Sequence, residues 1–131
     1  MSGMVARGWA TVELERAISE LGGSLAAGTG FEPAEPSTAL GARCLRGKSA
    51  DGSGVIVLLE PDTEGRLARF LARHGEGWAA TWIDAADADA DGRRPVATDR
   101  ATPGPFGPER LEYGSPWGPF RLRVAPATIG R

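Results

Sequence analysis

The chain's strongest constraint on folding is the passage from Val55 to Trp78. Val55-Ile56-Val57-Leu58-Leu59-Glu60 is a nearly unbroken apolar run, rich in β-branched residues and too short for a helix. A run of that kind fits a central strand buried on both faces. Pro61-Asp62-Thr63 then opens a helix, with Leu67, Phe70 and Leu71 on its buried side and Arg66, Arg69 and Arg73 outside. Gly75 suits the position just past the helix, and residues 78–83 start a further strand.

Weaker signals surround this passage. Residues 8–12 form a short strand, and Leu14, Ala17, Ile18 and Leu21 follow at helical spacing until Gly22-Gly23. Pro33 and Pro36 restrict residues 24–38 to a loop or an edge strand. Residues 40–46 make a strand, and 48–54 have turn chemistry. Residues 84–91 alternate Ala with Asp, either as one helical turn or as a solvated loop. Residues 97–108, with three prolines, make a long loop. Two more strands are expected at 111–113 and 119–124, joined by a turn at 114–118. The order suggests a duplicated βαβββ arrangement, α+β in class.

Composition excludes several functions. At 131 residues, one domain over 1–131 with a real core is expected. A net charge of −2 gives no basic field to attract nucleic acid or a membrane surface. Lys48 is the only lysine among fifteen basic residues, a bias typical of GC-rich bacterial genes. Cys44 is alone, so it forms no disulfide within the chain. No stretch approaches the ~20 apolar residues of a membrane span, and no signal peptide is evident. A cytoplasmic protein is expected.

Several segments resemble the vicinal oxygen chelate superfamily: the glyoxalases, methylmalonyl-CoA epimerases, ring-cleaving dioxygenases and bleomycin-type resistance proteins. Leu58-Leu59-Glu60-Pro61 and Gly75-Glu76-Gly77 resemble its "LLEP" and "GEG" phrases, Glu13-Leu14-Glu15-Arg16-Ala17 its "DLerA", and residues 118–126 its final strand. The resemblance implies paired βαβββ modules forming a curved half-barrel sheet, with the second module's helix shortened or lost. It also implies four metal-ligand positions, which fall on Ala6, Val57, Ala80 and near Leu122. None of these side chains can bind a metal ion, and His74 is the only histidine. No metal and no cofactor are therefore expected.

Strand alternation then gives the lining of the vacated cavity: Ala6, Val55, Val57, Leu59, Trp78, Ala80, Trp82, Phe120 and Leu122. Such a lining suits a hydrophobic or aromatic small molecule. The resistance proteins suggest drug sequestration or a place beside a natural-product pathway, and a homodimer. The rival expectation is a metal-free isomerase, cyclase or lyase using Glu112 or Tyr113, one of which should face the cavity. A third is a partner-binding domain without a ligand. Glu60 and Glu76 are expected to be structural, His74 to sit at a helix end, and Cys44 to behave as a small buried hydrophobe.

Overall fold

A computed structural model describes residues 4–25, 31–48, 54–84, 101–112 and 118–124. The strands are β1 (Met4–Ala10), β2 (Glu32–Ser37), β3 (Ala42–Lys48), β4 (Val55–Pro61), β5 (Gly77–Asp84), β6 (Glu109–Leu111) and β7 (Phe120–Val124). The helices are α1 (Leu14–Leu25) and α2 (Arg66–His74). Among the described residues the strands form one mixed sheet in the order β2-β3-β4-β1-β5-β7-β6, curled into a half-barrel. This is an α+β fold of the glyoxalase type.

The duplication is visible in the pairing. β1 runs parallel to β4, with Ala6 opposite Val55, and β5 runs parallel to β7, with Ala80 opposite Phe120. Ala6 and Ala80 are thus equivalent positions in the two halves, which meet through the antiparallel β1–β5 pair. The look-alike tripeptides Gly8-Trp9-Ala10 and Gly77-Trp78-Ala79 are not equivalent, because Trp9 and Trp78 pair with each other across that junction. The expectation for the second module's helix falls within 85–100, outside the described residues.

Several boundaries differ from the sequence expectations. β1 begins at Met4 and ends at Ala10 rather than spanning 8–12, because Thr11 and Val12 join the cap of α1. α1 runs through Gly22-Gly23 to Leu25, despite the low helix propensity of glycine. Ile18 is exposed, while Leu14 and Ala17 pack on Leu58 and Trp9. β4 extends through Pro61, and α2 starts only at Arg66, which donates to the Ala39 carbonyl. Leu67 and Phe70 are buried, and Gly75 closes α2 with a positive φ, its N–H donating to the Leu71 carbonyl. β6 starts at Glu109, inside what the sequence suggests is the approach to a strand at 111.

Glu60 and Glu76 tie the halves together at the start of α1. Glu60 accepts from the Leu14 N–H at 3.1 Å, and Glu76 from the Val12 N–H at 3.0 Å and the Thr11 hydroxyl at 2.9 Å. The first N–H groups of a helix lack partners within it, and these carboxylates supply them. Glu60 also pairs with Arg43, and Glu76 with Arg16. Val12's N–H, more than any other contact, holds the Glu76 carboxyl below the ordinary range.

Candidate functional site

Pleating divides the sheet into two faces. The concave one carries Ser37, Ala42, Cys44, Val57, Leu59, Ala6, Ala10, Ala80, Trp82, Phe120, Leu122, Val124, Glu109 and Leu111, all buried. Val55 packs against the same cluster. Of the expected lining residues, Ala6, Val55, Val57, Leu59, Ala80, Trp82, Phe120 and Leu122 come together here.

Trp78 does not. β1 and β5 shift register between the pairs Gly8–Ala80 and Trp9–Trp78, so Ala79 is an extra residue in β5. A bulge of this kind reverses the alternation beyond it. Trp78 instead meets Trp9 edge to face at 5.1 Å, with the Arg7 guanidinium 4.1 Å from its ring. That cluster lies on the outer side of the sheet, which α1 covers. Glu112 is also outside: its neighbours Arg121 and Arg123 approach its carboxylate at 3.6 and 3.7 Å. The inward positions of β6 are Glu109 and Leu111, opposite Val124 and Leu122. Tyr113 lies outside the described residues.

Glu109 is therefore a carboxylate buried on the concave face, 1% exposed. The Ser37 hydroxyl donates to Oε2 at 2.6 Å and the Trp82 indole N–H to Oε1 at 2.8 Å. Burial pushes the Glu109 carboxyl up to about 7, against these two bonds, which favour the ionised form. The sequence does carry a signal for it. Residues 109–112 alternate, so an inward Leu111 requires an inward Glu109.

Residues 101–108 lie over this face. Thr38 N–H donates to the Pro103 carbonyl at 3.1 Å and Arg46 to the Pro105 carbonyl at 2.8 Å. Phe106 stands edge to face with Trp82 at 5.7 Å, and the Arg46 guanidinium lies 5.0 Å from the Phe106 ring. Gly104 rests on the Glu109 carboxylate so closely that a Cβ there would overlap Oε1. Gly8 plays a similar part beneath Trp82. A Cβ on it would stand 2.8 Å from both the indole ring and Leu59. The face is thus filled by Trp82 and closed by the chain's own segment. Beside the segment runs an open groove of about 540 Å³, bordered by Glu35 and residues of 101–108.

Cys44 is buried and free, and desolvation pushes its thiol up to about 12, which suits a small hydrophobe rather than a nucleophile. His74 ends α2 and contacts the Phe70 ring at 4.7 Å. Ala6, Val57, Ala80 and Leu122 lie on four adjacent strands of one face and offer only carbon, so their chemistry does not fit a metal ion. Among the described residues no group of three or more His, Cys, Asp or Glu could hold one. No helix among them is long and apolar enough to cross a membrane.

The sequence matches no protein-family model and no curated protein. Its fold does match solved structures. Methylmalonyl-CoA epimerase from Mycobacterium tuberculosis superposes with a TM-score of 0.69 at 23% identity, over 96% of this chain and 89% of that one. A variant of the Streptomyces coelicolor methylmalonyl-CoA epimerase, in complex with 2-nitronate-propionyl-CoA, gives 0.66 at 22% identity, over 98% and 99%. A hypothetical protein from Bacillus halodurans gives 0.66 at 19%, over 98% and 96%. The chain thus shares its fold with these methylmalonyl-CoA epimerases.

Proposed function

We propose that this glyoxalase-fold protein binds a hydrophobic or aromatic small molecule on its concave face without a metal ion, as a homodimer. The carrying observation is the surface under residues 101–108. It is built from apolar side chains and the Trp82 ring, and Phe106 already occupies it as an aromatic ligand would. The covering segment is rich in Gly and Pro; Thr102 pairs with the Glu109 backbone, and beyond it Thr38, just past β2, bonds to Pro103 and Arg46 of β3 to Pro105. Its displacement exposes an apolar, aromatic floor of the kind small-molecule sites use. The acyl-CoA analogue held by a protein of the same fold supports a ligand-binding role.

The test is a panel of polycyclic aromatic compounds, with methylmalonyl-CoA included, read by thermal shift and tryptophan quenching. Saturable binding that weakens in Trp82→Phe is expected. A panel without any response would favour a partner-binding domain. Stoichiometric metal in the purified protein, or metal-dependent turnover of methylmalonyl-CoA, would overturn the proposal.

One observation favours a second reading, a metal-free isomerase, cyclase or lyase. A buried carboxyl pushed up to about 7 suits general acid–base work, and Glu109, unlike Glu112, faces the concave side. Turnover abolished by Glu109→Gln with binding retained would establish it.

A further inference from the structure

Building on small-molecule binding at the concave face, we infer that Glu109 anchors the ligand and that the ligand is a hydrophobic amine. An ionised carboxylate has room for about four hydrogen bonds, and from the described residues Glu109 receives two, both from neutral donors. Among the described residues no basic side chain pairs with it. Of the cations on this face of β3, Arg46 spends its guanidinium on the Pro105 carbonyl and the Phe106 ring, and Lys48, opposite Val55, is exposed. Ser37 from β2, Cys44 from β3, Trp82 from β5 and Gly104 from the covering segment surround the carboxyl without bringing a positive charge to it.

The partner missing from this arrangement is a cation with an apolar body. An ammonium would ion-pair with a desolvated carboxylate and lie beside the rings of Trp82 and Phe106, which attract cations through their π faces. A ligand carboxylate would be repelled, and a neutral ligand would gain hydrogen bonds without an ion pair. The approach has the same character. The groove beside the segment is walled by Pro103, Pro105 and Pro108, and the charged residue among its described lining is the acid Glu35. Gly104 belongs both to that wall and to the cover of Glu109. Lifting it therefore leads from the groove to the carboxyl. Since burial holds Glu109 near its titration point, an arriving ammonium ionises it, and binding releases a proton.

Calorimetry on the full chain near neutral pH, with three probes sharing one ring, tests this: naphthylmethylamine, naphthylmethanol and naphthoic acid. The amine should bind about tenfold tighter than the alcohol, with the acid weakest. Its heat should vary with buffer ionisation enthalpy in the sense of proton release. Glu109→Gln should bring the amine to the affinity of the alcohol, and Glu35→Gln should leave the preference in place. Equal binding of amine and alcohol to the wild type would overturn the inference while leaving the concave face as a binding site. So would a preference that survives Glu109→Gln or vanishes in Glu35→Gln. Failure of all three probes to bind would overturn both. The wild-type series decides the matter even where the Gln variant does not fold.

Discussion

The Ser37 hydroxyl donates to the Glu109 carboxylate at 2.6 Å, and that bond joins the two edge strands of the half-barrel. β2 and β6 stand at opposite ends of the strand order, 72 residues apart at this contact, yet the curl of the sheet brings them together. The concave face is closed by its own rim, with residues 101–108 laid across the seam.

That seam carries a pH dependence of known sign. The folded pKa of Glu109 is raised, from the ordinary 4.5 to about 7. Its favourable contribution is therefore complete below pH 4.5 and is lost as pH rises through about 7. The gap corresponds to roughly 3 kcal/mol at most. Glu109→Gln keeps an acceptor for Trp82 and cannot ionise. Its melting temperature, measured against wild type from acidic to mildly alkaline pH, should gain on wild type across this window. A difference that stays constant with pH would refute the shift.

Gly104→Ala puts a methyl group where the Glu109 carboxylate lies. Overpacking of a buried contact costs about 1–3 kcal/mol. The segment should lift, freeing the Thr38 N–H from the Pro103 carbonyl. A lower urea midpoint together with faster hydrogen exchange at the Thr38 amide is the expected result. Unchanged exchange there would mean that the carboxylate moves instead.

On the outer face of the sheet, Glu60→Ala strips the acceptor from the Leu14 N–H and the partner from Arg43. Loss of a helix cap costs about 1 kcal/mol, which a denaturant melt can read. Glu76, its carboxyl held low chiefly by the Val12 N–H, contributes above the ordinary carboxylate range and loses that contribution as pH falls through its lowered pKa. Glu76→Gln should accordingly flatten the acid limb of the stability profile and leave the alkaline limb unchanged.

The strands and helices were legible because their signals are local, whereas their closure into a half-barrel was implied only by the family resemblance. The run of β4, the glycine ending α2 and the prolines confining β2 to an edge each act through neighbours in sequence. Facing was legible wherever alternation is unbroken, as from Val55 to Leu59 or Phe120 to Leu122. It failed at Trp78, because nothing in Trp78-Ala79-Ala80 announces the bulge that turns Trp78 outward. Glu109 was missed for a different reason. The prolines and glycines before it suggest a loop, and the partners that bury it, Ser37 and Trp82, are distant in sequence.

Gly8 and Trp82 offer the sharpest check on how the concave face is filled. They lie on adjacent strands, and a Cβ on Gly8 would stand 2.8 Å from the indole ring. Alone, Gly8→Ala should cost about 1–3 kcal/mol, since a fully buried ring wedged between strands and the Glu109 bond has little freedom to move. Trp82→Phe removes both the far edge of that ring and the N–H that Glu109 accepts. In the Trp82→Phe background the same alanine should therefore cost less, leaving a coupling energy of about 1 kcal/mol. Leu59, equally close to the added methyl, keeps the residual cost above zero. If Gly8→Ala costs the same in both backgrounds, the obstacle is Leu59 rather than the indole. The space over β1 would then not be reserved for Trp82.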